Sequence, residues 1–143
     1  MKRKTISLIL ILVYFGSLFA YGSYYFYSSS SPKEVSIENK KIIDRKFKES
    51  EISNLLPKGY TLIEIYLDGS ENSTTIRYLL EQKVKSNTYQ KTILSEILST
   101  NFKVRIISAN GDKTLINPSQ EEVEKEICKL IIYKPAECAL INV

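Results

Sequence analysis

The sequence contains no histidine. This absence excludes Ser-His-Asp and Cys-His catalytic sites, histidine-ligated zinc, and the commonest general base near neutral pH. Only two cysteines are present, Cys128 and Cys138, whereas a structural zinc site usually takes four Cys or His ligands. The sequence therefore predicts no catalytic residue, no metal site and no cofactor, and it favours a protein that is not an enzyme.

Charge is absent from residues 5–32, directly after the basic cluster Lys2, Arg3 and Lys4. A helix over residues 5–27 would be about 35 Å long, enough to cross a hydrocarbon core of roughly 30 Å. Because such basic residues stay on the cytoplasmic side, the rest of the chain is expected outside. Residues 1–27 are therefore predicted to be a single-pass anchor in the cell membrane that contacts lipid through residues 5–27.

A cleaved signal peptide is the main alternative for this N-terminal segment. It has a basic start, an apolar core, and small residues at Ala20 and Gly22 around a possible cleavage site. Aromatic residues continue to Tyr27, which extends the span and crowds that site, and a buried soluble helix is a third interpretation. Cleavage would make the protein secreted. Both leading interpretations treat residues 28–40 as a linker and place an extracytoplasmic domain at residues 41–143.

The net charge of +4 comes almost entirely from the basic cluster. Without its three members, 17 of the 20 basic residues remain against 16 acidic residues, so the external part is close to neutral. A nucleic-acid binder needs a basic face that displaces counterions. The composition therefore argues against a nucleic-acid partner.

Apolar periodicity and turn residues predict one small domain of the α/β class, with α+β as the other possibility. The predicted order is helix 41–56, strand 60–67, a helix beginning between 70 and 73, helix 89–100, strand 102–108, strand 113–116, and a last helix beginning at 117. The strand at 60–67 is apolar on both faces, which favours a central position in a sheet.

Two local signals refine the C-terminal part. Asn110-Gly111 predicts a type I′ hairpin turn, which needs positive φ at both central residues. Asn117 is the predicted N-cap of the last helix, with Pro118 at its first position. The acidic residues 121–126 are interpreted as the exposed face and first turn of that helix.

The order strand, loop, helix, hairpin and final helix resembles the thioredoxin-like fold, and residues 65–73 (IYLDGSENS) resemble the active-site turn of that family. Ser70 and Ser73 stand where the family has its Cys-x-x-Cys pair. Residues 127–138 also resemble the C-terminal tails of some archaeal membrane-anchored thioredoxin-like proteins. Unlike the family, the chain has no proline between Lys58 and Asn117, and no strand is predicted between the two middle helices.

The resemblance implies the fold but not the redox activity, because serine cannot form a mixed disulfide. Ser70 and Ser73 are predicted mainly to cap the helix; a recognition role inherited from an ancestral active site is the alternative. Asn72 begins a glycosylation pattern that competes with the same helix start. Glu64 and Asp68 share one face of the predicted strand, where ordinary solvated charges are expected more than acid/base catalysis.

The two cysteines allow three interpretations. In an external compartment two cysteines usually pair, and a disulfide between Cys128 and Cys138 would contribute roughly 3 kcal/mol in the chain-entropy model. Two unpaired thiols and a redox-active pair are the alternatives, although the spacing lacks the tight turn that lowers a thiol pKa.

Two functions follow from these features. The first is a non-catalytic, membrane-anchored external domain that binds an unknown protein partner or serves in envelope assembly. The alternative is an extracytoplasmic thiol-disulfide oxidoreductase that uses Cys128 and Cys138.

Overall fold

The structure is a computed structural model that describes Tyr14 and residues 37–141. Contacts between residues divide the chain into two units, Met1–Ser36 and Ile37–Val143. Apart from Tyr14, which is helical, the predicted anchor, its basic cluster and linker residues 28–36 lie outside the described residues. No helix in the described part of the chain is long and apolar enough to cross a membrane.

The second unit is a mixed α/β domain built on a five-stranded sheet with the order β1-β3-β2-β4-β5. β1 and β2 run parallel to β3, while β4 runs antiparallel to both β2 and β5. The strands are β1 (Ile42–Ile43), β2 (Thr61–Leu67), β3 (Thr92–Leu98), β4 (Lys103–Ser108) and β5 (Gly111–Ile116). The α/β prediction is confirmed at this level.

Residues 37–141 also form α-helices and short 3₁₀ segments around the sheet. The helices are α1 (Glu49–Leu55), α2 (Glu71–Lys85) and α3 (Gln120–Leu130), and the 3₁₀ segments are Ile37–Asn39, Leu56–Lys58 and Ala136–Ala139. In α2 the buried residues Ile76, Leu80 and Val84 recur every four positions, which places them on one face of the helix. β2 is the central strand, which confirms its predicted position.

The predicted helix at 89–100 is wrong, because Thr92–Leu98 is strand β3. Ile93 and Leu94 are both buried, on opposite faces of the sheet, between β1 and β2. A strand that is buried on both faces loses its polar alternation, so periodicity cannot separate it from a short buried helix. β3 is also the strand that the sequence did not predict between the middle elements.

The N-terminal part of the domain differs from the prediction as well. Residues 41–56 are not one helix, since strand β1 precedes the shorter helix α1. Ile37 is buried in the same hydrophobic cluster as Phe47. Residues 37–40, which the sequence assigned to the linker, therefore belong to the folded unit.

The hairpin strands are confirmed, but the turn between them is not the predicted one. Ser108 pairs directly with Gly111, so Ala109 and Asn110 occupy the turn and Gly111, with φ 149°, opens the return strand. The last helix is capped by Ser119 rather than Asn117, because Ser119 and Glu122 exchange side-chain and backbone hydrogen bonds in a capping box. Asn117 instead takes a left-handed conformation with φ 47°.

The two faces of the sheet are covered differently. One face packs against α2 and α3 through the larger core cluster, which includes Ile65, Ile76, Val104 and Ile127. On the other face, α1 and Phe47 cover Leu62, Ile93 and Ile107. The next positions on that face, towards the carboxyl end of β2, are the polar residues Glu64 and Tyr66.

Candidate functional site

The turn between β2 and α2 is organised by hydrogen bonds that cap the helix. Ser70 is the N-cap, and its hydroxyl accepts the Ser73 amide at 3.2 Å. The Ser73 hydroxyl donates to the Ser70 carbonyl at 2.9 Å, and Ser73 is fully buried. Asp68 accepts the Ser70 amide at 2.9 Å, and the hydrogen bonds from Ser70 lower the pKa of the exposed Asp68 carboxyl. Ser70 is therefore the N-cap, as the sequence predicts, whereas Ser73 is the third residue of the helix and its hydroxyl bonds back to a carbonyl without capping an amide.

Asn72 lies in the first turn of α2 and is exposed, but its amide is engaged. The side-chain nitrogen donates to the Pro118 carbonyl at 3.0 Å. This bond ties the start of α2 to the segment before α3. Glycosylation would modify the same nitrogen, so the helix start and the glycosylation pattern compete for one group.

Cys128 and Cys138 are joined as a disulfide with their Cα atoms 5.4 Å apart. Cys128 lies on the buried side of α3, and Cys138 lies in the 3₁₀ segment Ala136–Ala139. Both are buried, with 1% and 7% of their surfaces exposed. This arrangement is what the sequence predicts for a structural disulfide.

The disulfide and the Ser70 turn lie at opposite ends of the helices. The bond from Asn72 to Pro118 places the start of α3 beside the start of α2. Cys128 then lies nine positions beyond the N-cap Ser119, about 14 Å along the helix axis. A salt bridge between Lys83, near the end of α2, and Glu137, next to Cys138, marks the distant end. The two features therefore do not form one site.

Glu64 is fully buried, which contradicts the expectation that it is an ordinary solvated charge. Its Oε1 accepts the Phe47 amide at 3.2 Å, and its Oε2 accepts the Tyr66 hydroxyl at 3.0 Å. Arg105 Nη1 lies 3.6 Å from the same Oε2. A buried carboxylate needs such partners, since an unpaired one costs several kcal/mol. Asp68, by contrast, is exposed as expected.

Tyr66 and Arg105 extend this cluster towards solvent. Burial, together with the bond to Glu64, raises the pKa of Tyr66 to about 12, so its hydroxyl stays protonated as a donor. Arg105 donates from Nε and Nη2 to Asp112 at 3.1 and 2.6 Å, which is a bidentate pair across β4 and β5. Sequence reasoning missed the cluster. Glu64 was the available signal, because a charged residue inside a strand that is predicted to be central is expected to be buried and therefore to need a partner.

Two large apolar side chains are exposed at the carboxyl end of the parallel strands. Leu98, the last residue of β3, is 90% exposed, and Ile116, the last residue of β5, is 77% exposed. Register places Leu98 beside Leu67 and Ile116 beside Lys103. They therefore share the end of the sheet from which the Ser70 turn emerges.

A scan against protein-family models and a search of curated proteins found no match for the chain.

Proposed function

We propose that the chain is a membrane-anchored, extracytoplasmic thioredoxin-like domain that binds a protein partner and carries out no thiol chemistry. The fold part of this proposal is supported by a central parallel strand, a helix, a second parallel strand, a hairpin and a final helix in that order. β3 supplies the strand that the resemblance implies between the middle elements. The four residues between β3 and β4 contain no helix. A helix that covers the sheet in the thioredoxin-like family is therefore absent at this point of the chain.

The loss of redox function rests on the Ser70 turn. At the two positions that would hold thiols, the Ser70 hydroxyl caps α2 and the Ser73 hydroxyl donates to the Ser70 carbonyl. Both cysteines of the chain are buried in one disulfide, which joins α3 to the segment Ala136–Ala139. This disulfide lies near the C-terminal end of α2, whereas the Ser70 turn lies at its N-terminal end. A buried disulfide is poorly accessible to an attacking thiolate, and this slows exchange.

The binding part of the proposal is supported by the exposed end of the sheet. Leu98 and Ile116 are each largely exposed there. Register places Leu98 on the face covered by α2 and α3 and Ile116 on the opposite face, so they offer two separate apolar contact points at the same end of the sheet. The basic cluster Lys2, Arg3 and Lys4 before the uncharged segment supports an external location. The partner is therefore expected outside the cytoplasm.

The thiol question is tested with the full chain, extracted from membranes in a non-ionic detergent. The disulfide is equilibrated with defined ratios of reduced and oxidised dithiothreitol, and exchange with a model disulfide substrate is followed in parallel. We expect a reduction potential below about −300 mV and no catalysed exchange. Exchange that disappears in Cys128→Ser and Cys138→Ser variants would replace this proposal with the thiol oxidoreductase.

Topology is tested on intact cells with an impermeant protease. Cleavage of residues 37–141 without lysis is expected if the domain is outside. Protection of the domain until lysis would overturn the external location, and mass spectrometry of the intact protein would show whether the N-terminal segment is retained.

A further inference from the structure

A cleft of ≈ 540 Å³ opens on the half of the sheet face that α1 does not cover. Lys46, from the segment before α1, contributes one wall. The sheet contributes the rest, through Tyr66 on β2, Lys103 and Arg105 on β4, and Asp112 and Thr114 on β5. The cleft therefore joins side chains from three strands and from the chain segment that crosses them.

The base of the cleft is a closed polar network. Glu64 lies beneath Tyr66 and Arg105 and has its carboxylate bonded to the Tyr66 hydroxyl and the Phe47 amide. Arg105 is held from two sides, by Asp112 and by Glu64. Arg105 therefore pairs with both carboxylates, and these three groups carry a formal net charge of −1, which the two lysines of the cleft, Lys46 and Lys103, bring to +1.

The two lysines of the cleft are in a different situation. Neither Lys46 nor Lys103 forms a salt bridge with any residue of the described part of the chain. The Lys103 ammonium lies 4.1 Å from the centre of the Tyr66 ring, a cation–π contact that holds it over the cleft. The Thr114 hydroxyl also makes no hydrogen bond with a described residue, so a further donor is available.

We propose that this cleft binds a small anion whose carboxylate or phosphate oxygens lie between Lys46 and Lys103. Two ammonium groups and a hydroxyl match an oxyanion with several acceptor oxygens. The contact with Tyr66 restricts Lys103 before binding, which reduces the entropy lost when the complex forms. Glu64 is a positioning residue that acts through Tyr66 and Arg105.

None of the residues that line this cleft belongs to the Ser70 turn or to the disulfide, so the proposal goes beyond the proposed function. The competing explanation is that the lysines are ordinary solvated charges. In that case any anion would bind diffusely, and removal of any neighbouring lysine would have the same effect. Lys113 on β5 provides the matched control, because it carries the same charge but lies on the opposite face of the sheet. Its neighbours on the strand, Asp112 and Thr114, both line the cleft, and successive residues of a strand alternate between the two faces.

The experiment is an NMR titration of the full chain in a non-ionic detergent at low ionic strength. Inorganic phosphate is added in one series and citrate in another, with the pH held constant. We expect saturable shifts of the backbone amides of Tyr66, Lys103 and Thr114 with at least one probe. Lys103→Gln and Lys46→Gln are each expected to weaken that binding roughly tenfold. Lys113→Gln is expected to change it less than about twofold.

Saturation by phosphate alone or by citrate alone would support the site and identify its oxyanion. Non-saturable shifts with both probes, or an equal loss in Lys113→Gln and Lys103→Gln, would overturn the proposal. These lysines lie at the surface of the cleft, so their glutamine variants are expected to fold. The result is independent of the thiol measurements.

Discussion

Ser70 and Ser73 exchange two hydrogen bonds at the start of α2. The Ser70 hydroxyl accepts the Ser73 amide at 3.2 Å, and the Ser73 hydroxyl donates to the Ser70 carbonyl at 2.9 Å. The helix start therefore uses both hydroxyls at the positions where the resemblance implies thiols. Four predictions follow from this pair, from the disulfide and from a pair of carboxyl groups.

Ser70→Ala is expected to destabilise the domain by about 1 kcal/mol, because it removes the acceptor for an otherwise unpaired helix amide. Chemical denaturation followed by circular dichroism measures the change. Ser70→Asp keeps a capping oxygen and is the matched control, with stability close to that of the wild type. A loss of equal size in both variants would show that the capping bond is not the cause.

Ser70→Cys combined with Ser73→Cys is expected to create a thiol pair that exchanges with a model disulfide, whereas the wild type is expected to show no such activity. The helix N-terminus favours a thiolate at position 70 and lowers its pKa. Thiol titration and substrate reduction measure the gain. The single variant Ser70→Cys should react with an alkylating reagent but should not catalyse exchange. If the double variant stays inactive with both thiols reduced, the turn does not have the active-site geometry that the resemblance implies.

Cys128→Ser and Cys138→Ser are each expected to lower the free energy of unfolding by roughly 3 kcal/mol, since either change opens the same loop. The double variant should lose no more than either single variant, because only one bond is broken. Dithiothreitol should destabilise the wild type and leave the double variant unchanged. Additive losses from the single variants would instead indicate that packing of the individual side chains is responsible.

Glu96→Gln is expected to stabilise the domain at pH 7 and to have little effect below pH 4. Burial, together with the neighbouring Glu81 carboxylate, raises the pKa of Glu96 above its ordinary value. The neutral form is thus favoured in the folded state, and the stability it contributes is lost as the pH rises through the raised pKa. Thermal unfolding of both proteins from pH 3.5 to 8 gives the difference.

The hydrogen bond to Lys85 is the main reason that the pKa of Glu81 is lowered. The stability that ionised Glu81 contributes to the folded domain is therefore lost as the pH falls, which is the opposite pH dependence to that of Glu96. The difference between wild type and Glu96→Gln at each pH largely removes that background. Asp44→Asn, which removes the same charge at an exposed position without a salt bridge to a described residue, is the control for a general change in net charge. A stabilisation that is independent of pH would contradict the assigned cause.

Local patterns predicted those elements whose signals are local. β2 is flanked by Gly59 and by Asp68-Gly69, and α2 carries a four-residue apolar spacing, so both were predicted within a few residues. β3 was predicted as a helix because it is buried on both faces: Ile93 and Leu94 pack into two different core clusters. The apolar pattern of such a strand does not alternate, so the sequence alone does not distinguish it from a helix. The capping residue of α3 was missed for a related reason, since Ser119 and Asn117 both satisfy the local preference for an N-cap.

The sequence by itself determined the positions of charge and thiols: a basic cluster before an uncharged segment, two cysteines and no histidine. These are properties of composition and order, and no folding is needed to read them. Only the tertiary structure decided that Glu64 is buried and bonded to Tyr66, and that Lys46 and Lys103 line one cleft. The reason is physical: strand pairing brings residues that are about 40 positions apart, such as Glu64 and Arg105, into direct register, and no local pattern encodes that register.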